Sequence, residues 1–391
     1  MFATLRIPRN PLLRLFILFS ALWLAACEPI PGGGAGPSLG AGEAVPVALL
    51  VPSGSGETND EFLATSLRQA AELAISDLNG VKIDLRIYNT GAQPAQAAAM
   101  ATKAVDEGAK IILGPVYSGS ANAAAVAVAD RGVSVLAFSN NTDIAGGNLF
   151  VLGPTFPNTA NRMASFAVSQ GKRRILVVSE QTLAGQVGAS AIKTAVGRFG
   201  GSVAGEVSFP YSQTDVVNAV PQIASRVKAG GVDALFITSD AGGALPLLAQ
   251  MLPEQGVNPA VTKFIGLTRW DTPPAAMALP GLQGGWFALP DPNLNERFSA
   301  RYQTAYGSAP HPIAGLAYDG IAAIGALVKS RNPDPLGRAA LTQPSGFVGV
   351  NGIFRLRPDG TNERGLAVAE IRDGRVVVID AAPRSFGGFG F

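Results

Sequence analysis

The chain has 391 residues, with 30 Lys and Arg against 28 Asp and Glu, one histidine and one cysteine. A net charge of +2 without clustered basic residues argues against nucleic acid as a partner, and a single cysteine excludes an intramolecular disulfide. Hydrophobic content of 47% with 15% charged residues describes a globular body held by core burial, long enough for two domains.

Arg6, Arg9 and Arg14 precede an apolar stretch over residues 15–24, and no acidic residue appears before Glu28. A positive segment, a short apolar core and small residues at Ala25-Ala26 make a secretory signal rather than a spanning helix. Cys27 follows directly, and Leu24-Ala25-Ala26-Cys27 resembles the lipobox of bacterial lipoproteins. That resemblance implies cleavage before Cys27, acylation of its thiol and new N-terminus, and anchoring by several acyl chains. Removing residues 1–26 takes away three arginines and no acid, which moves the net charge to −1. Residues 27–44 carry Pro31-Gly32-Gly33-Gly34-Ala35-Gly36-Pro37, a flexible tether.

From residue 45 the pattern alternates. The β-branched run 45–51 reads as a buried strand. Residues 58–79 place Phe62, Leu63, Leu67, Ala70, Ala71, Ala74 and Ile75 at helical spacing and stop at Asn79-Gly80. Strand 83–88, helix 94–107, strand 111–114, helix 119–131 and strand 133–138 complete a first series. A second series runs through helix 158–170, strand 175–178, helix 185–199, strand 203–209, helix 214–228, strand 234–238, helix 242–252 and strand 264–267. Pro221 should kink the 214–228 helix. After 285–289 come helices 294–306 and 313–330. Short strands follow near Phe354, at 366–371 and at 376–379, the last two joined by an Asp373-Gly374 hairpin turn. Strands alternating with helices predict right-handed crossovers and parallel sheets flanked by helices. Residues 381–391 form a Gly/Phe tail that reads as a loose end.

In such sheets ligands sit beyond the carboxyl ends of the strands, where helix N-termini point their N–H groups. Three loops there combine small residues with donors: 51–56, 114–120 and 138–142. Ser, Asn and Gly also serve ordinary caps and turns, so each loop alone has two readings. Catalytic signals are poor, and no enzyme is expected. His311 is the lone histidine, between two prolines, and no metal or other cofactor is implied. The S-x-x-K matches at Ser169/Lys172, Ser190/Lys193 and Ser225/Lys228 lack their S-D-N and K-T-G companions.

Taken in order, residues 50–54, 70–80, 114–120 and 132–136, then Ala317-Tyr318-Asp319-Gly320, Gly352-Ile353-Phe354 and Asp359-Gly360, resemble type I periplasmic binding proteins of the leucine/isoleucine/valine-binding group. The resemblance spans residues 45–380. It implies an α/β fold of two lobes, 45–154 with 291–345 and 155–290 with 346–380, joined by three crossings near 153–155, 289–291 and 344–347. A small polar solute, amino-acid-like or a carboxylate, would lie in the cleft between them and be presented to an inner-membrane permease of amino-acid-type ABC transport. On the first lobe the resemblance assigns ligand contacts to Ser53, Tyr117, Ser118, Gly119, Phe138, Ser139, Asn140 and Thr142. On the second it assigns Asp240, Thr268 and Trp270, where the family's glutamate is missing.

Phe138-Ser139-Asn140-Asn141 and Phe150-Val151-Leu152-Gly153 look closer to a subgroup, the penicillin-binding protein activator lipoproteins. That likeness implies the alternative of a non-transport regulator touching a peptidoglycan synthase. Glu28 after the cysteine places the anchor, by analogy with lipoprotein sorting, on the periplasmic side of the outer rather than the inner membrane.

Overall fold

The computed structural model describes residues 43–330 and 332–387. Cys27, the signal segment and most of the tether lie outside the described residues. No helix among those described is long and apolar enough to cross a membrane.

Two α/β lobes form around two sheets. The first sheet runs β2-β1-β3-β4-β5 and is parallel throughout. Its strands are β1 (Val45–Val51), β2 (Ile83–Asn89), β3 (Ile111–Leu113), β4 (Ser134–Ala137) and β5 (Leu149–Val151). Val47, Leu49 and Val51 face one apolar layer and Ala48 and Leu50 the other, which is why 45–51 shows no polar alternation. One layer contains α1 (Thr58–Asp77); the other contains α2 (Pro94–Asp106) and α3 (Ser118–Ala127). Ala97, Ala101, Ala104, Ala121 and Ala124 are fully buried, and these small side chains let α2 and α3 pack closely on the sheet.

The second sheet runs β15-β14-β10-β9-β8-β6-β7. β6 (Arg174–Glu180), β7 (Ser202–Phe209), β8 (Ala234–Ile237), β9 (Lys263–Gly266) and β10 (Trp286–Leu289) are parallel. β14 (Ala367–Arg372) and β15 (Arg375–Asp380) extend it antiparallel as the expected closing hairpin. Asp373 at φ 50° and Gly374 at φ 69° form the hairpin turn between them. Helices α4 (Phe156–Ser169), α5 (Leu183–Arg198), α6 (Gln213–Lys228) and α7 (Leu245–Glu254) alternate with these strands, and Pro221 sits inside α6 without ending it.

The chain returns to the first lobe through α8 (Pro292–Tyr306) and α9 (Gly315–Lys329), whose Phe298, Tyr302, Ile321 and Ile324 join the layer of α1. A third, antiparallel sheet follows, β11 (Phe347–Gly349), β12 (Gly352–Leu356) and β13 (Asn362–Arg364). Phe347, Val350, Phe354 and Leu356 belong to the first-lobe core, not to the second lobe to which the sequence reading gave residues 346–380. β11 packs against α9, where Val350 lies beside Gly315 and its N–H donates to Asp319. Beyond β15, the guanidinium of Arg355 lies 4.5 Å from the Phe386 ring centroid, so the described start of the tail is docked rather than loose.

Candidate functional site

Strands β1, β3 and β4 are neighbours, so the loops at their carboxyl ends lie side by side. Gly114 closes β3 at φ +83°, and a Cβ there would stand 2.3 Å from the Leu50 carbonyl oxygen. Only glycine permits that approach between the β1 and β3 ends. Ser118 opens α3 half-buried, with Gly119 exposed behind it; Ser120 is 1% exposed and its hydroxyl has no partner among the described residues.

Several donors on this edge are held by the chain's own carboxylates. The Ser53 hydroxyl donates to Glu61 Oε2 at 2.6 Å, and the Gly54 N–H donates to Glu61 Oε1 at 2.6 Å. These two hydrogen bonds, that of Ser53 first, hold the Glu61 carboxyl below its usual range. The Tyr117 hydroxyl donates to the buried Asp60. That bond foremost, with burial, pushes the phenol up to about 12. Neither acid was singled out by the sequence pattern, because both read as first-turn residues of a helix. On the third loop, Ser139 is buried and its Oγ accepts the Asn141 N–H at 3.1 Å, Asn140 is exposed, and Thr142 begins a 3₁₀ turn half-buried. Phe138 is 3% exposed and packs in the first-lobe core, so its side chain is structural where the sequence reading made it a ligand contact.

At the second lobe's edge, β6, β8 and β9 end together. Asp240 is exposed and its Oδ1 accepts the Gly242 N–H at 2.9 Å; Glu180 Oε1 accepts the Ala244 N–H at 3.3 Å. Thr268 donates to the Ser239 carbonyl at 3.4 Å. Trp270 corrects a second expectation: it is 0% exposed, inside the second-lobe core. A Cβ on Gly266 or Gly285 would come within 2.5 Å of its ring, so two glycines make the slot that draws the indole inward. Arg269 beside it is ion-paired with Asp271.

A cavity of about 280 Å³ lies where the lobes meet. Pro154, Thr155 and Phe156 line it where β5 passes to α4, Leu267, Thr268 and Arg269 at the end of β9, and Ala288, Leu289 and Pro290 at the end of β10. From the first lobe come Pro312, Ile313, Leu316 and Asn351, with Arg364 and Leu366 from the returning chain. The wall is mainly apolar with a few polar groups, the usual make-up of a small-molecule site. Of the residues expected from sequence, Thr268 lines this cavity; the first-lobe loop residues and Asp240 do not.

Behind it is a buried ion pair, Arg364 Nη1 to Asp319 Oδ2 at 3.5 Å, with side chains 4% and 0% exposed. Asp319 Oδ1 also accepts the Val350 N–H at 2.7 Å, and Arg364 donates to the Leu152 carbonyl. Burial pushes the Asp319 carboxyl up and the Arg364 guanidinium down, and their mutual attraction opposes both shifts. Asn362 Nδ2 donates to the carbonyls of Val151 and Gly153 at 2.8 Å each, which fixes β13 to the end of β5.

Residues 44–375 match the family model described as periplasmic binding protein. No curated protein matches the sequence. Among solved structures, a putative branched-chain amino acid ABC transporter from Rhodospirillum rubrum is 20% identical, with a TM-score of 0.74, over 86% of this chain and 100% of that one. An ABC transporter substrate-binding protein from Desulfitobacterium hafniense, in complex with Leu, is 19% identical with a TM-score of 0.62, over 86% and 100%. A solute-binding protein of an ABC transporter from R. palustris, in complex with benzoate, is 20% identical with a TM-score of 0.57, over 89% and 99%.

Proposed function

The chain belongs to the periplasmic binding protein family, and from that premise we propose that it binds a small solute between its lobes and presents it to the permease of an ABC transporter. The observation that carries this reading is the cavity of about 280 Å³ with walls from both lobes. That volume suits a ligand near the lower end of the usual range of ~300–1,000 Å³. A solute touching Ile313 and Leu316 on one side and Leu267 and Thr268 on the other stabilises the arrangement that brings both walls together. The closed state is thereby selected, while the crossings near 153–155 and 289–291 absorb the rotation. The third crossing, in this proposal, falls between the ends of β12 and β14, because β11 and β12 pack with the first lobe.

The resemblance extends the proposal to an amino-acid-like or carboxylate solute, to lipid anchoring through Cys27, and to the periplasmic face of the outer membrane. Among the site residues read from sequence, Ser53, Tyr117, Ser118, Gly119, Ser139, Asn140 and Thr142 form the first-lobe rim in this proposal, and Asp240 and Thr268 the second. No step calls for catalysis.

Calorimetry of the mature chain against amino acids, small carboxylates, amines and muropeptides tests the reading, with Thr268→Trp as the control. The indole fills the cavity from its half-buried mouth. Heat with at least one solute, lost in Thr268→Trp while the melting temperature stays within a few degrees, is the expected outcome. No heat with any of them, together with binding to a peptidoglycan synthase, would replace the reading with the regulator.

A further inference from the structure

Two charged side chains line the interlobe cavity, Arg269 after the end of β9 and Arg364 on β13, and no carboxylate does. Each arginine has its own acid, and in both cases the acid is not part of that wall. Asp271, which accepts from Arg269 Nε at 2.9 Å and Nη2 at 2.5 Å, lines a neighbouring cavity of about 390 Å³ with Val376 and Val378. Asp319, the partner of Arg364, is 0% exposed. Both ion pairs are therefore oriented, with the cation in the wall and the anion outside it.

Both guanidinium groups also keep donors in reserve. Arg364 is 7% exposed, yet its Nε has no hydrogen-bond partner among the described residues. Its Nη2 donates to the Leu152 carbonyl, and its Nη1 lies 3.5 Å from Asp319, beyond a good hydrogen bond. A buried donor left open is costly unless something outside the chain satisfies it. On Arg269 the Asp271 carboxylate occupies the Nε and Nη2 edge. The Nη1 edge of that fork, on a side chain 44% exposed, is left for another acceptor.

The two arginines come from opposite lobes. Arg269 follows β9 of the second sheet, whereas Arg364 stands over the ring of Phe354 in the first-lobe core, 5.2 Å from its centroid. An anion between them would be bonded from both lobes and would relieve two like charges converging on one cavity. An ammonium there would meet no carboxylate in the wall, and burying it unpaired is costly.

We propose that Arg269 and Arg364 are the specificity-determining pair of the interlobe cavity, receiving an anionic head group from opposite lobes, so that the solute is a carboxylate with an apolar body and no ammonium group. This rests on the solute-binding reading above and narrows its solute class. Leu267, Ile313, Leu316 and Leu366 take the body. Selectivity against amino acids then comes from what the wall lacks.

The test is calorimetry on the mature chain with probes that share a body: 4-methylpentanoate, 4-methylpentanamide and leucine, then benzoate, benzamide and benzylamine. Each acid should bind at least about tenfold tighter than its uncharged amide and than its ammonium-bearing counterpart. Two double variants, Arg269→Gln/Asp271→Asn and Asp319→Ala/Arg364→Met, each remove an arginine with its acid and leave no unpaired charge. Both should shrink the acid-to-amide ratio by about tenfold, chiefly through a loss for the acid. A purely structural role for either pair would change acid and amide together and leave the ratio alone. If the buried double variant misfolds, the exposed pair decides. Amides or leucine binding as tightly as the acids, or a ratio unmoved in a folded variant, overturns the inference, while binding lost in Thr268→Trp preserves the solute reading. Heat from no probe and no other solute refutes both.

Discussion

Replacing Asp319 by alanine should be among the most costly single changes in this protein. The Arg364 side chain is 4% exposed and its ion-pair partner is 0% exposed, 3.5 Å away. At that separation the attraction is worth about 5 kcal/mol at an effective dielectric of ~20, most of it offset by desolvation of the two charges. Asp319→Ala therefore removes little net pair energy but leaves a buried guanidinium uncompensated, at about 3–5 kcal/mol. The Val350 N–H, which bonds Asp319 Oδ1 at 2.7 Å, also loses its acceptor, adding roughly 1 kcal/mol or more. A loss of about 4–6 kcal/mol is expected in urea unfolding followed by circular dichroism. Asp319→Ala/Arg364→Met restores an uncharged interior and should recover ~2 kcal/mol or more of that loss. A single-mutant cost under about 1.5 kcal/mol, or strict additivity in the cycle, would refute the view that this pair is buried and coupled.

Two further outcomes follow from the same geometry. Asp77 accepts from Arg301 and Tyr318 and its carboxyl is held below 3.8, chiefly by the Arg301 hydrogen bond. A depressed carboxylate contributes stability that is present above its unfolded value and lost as pH falls through its folded one. With side chains 32% and 51% exposed, this pair should contribute only about 0.5–1 kcal/mol. Asp77→Asn should flatten the acid limb of a stability–pH curve below about pH 4 by that amount, and an unchanged limb would exclude the contribution. Trp270→Ala should cost about 3–5 kcal/mol in the same unfolding assay, because the indole is fully buried between Gly266 and Gly285; a near-neutral result would return it to the cleft.

Much of the architecture is legible in the residue pattern because it depends on strong local periodicity. The unbroken apolar run at 45–51 is β1, and Asp373-Gly374 turns the final hairpin, because a buried strand and a left-handed turn each restrict residue type sharply. The three-residue strands β5, β11 and β13 are too short to show any period, although each pairs with the strand next to it in sequence. The site was legible to a smaller extent. Strand order places the expected first-lobe loops side by side, but whether an aromatic at a strand end points to core or cleft depends on tertiary space. Phe138 and Trp270 both point inward, Trp270 into a slot whose walls are two glycines separated by nineteen positions. Glu61 has an ordinary helix-turn appearance in sequence; it meets the Ser53 hydroxyl and the Gly54 N–H only when the β1 loop folds back.

Native mass spectrometry of the mature chain, purified without denaturation beside Thr268→Trp, tests the central claim most directly. A fraction of the protein should carry a small non-covalent mass that is lost on denaturation and absent from the variant. An identical bare mass for both chains, unchanged after incubation with a broad set of small solutes, would contradict a solute site between the lobes.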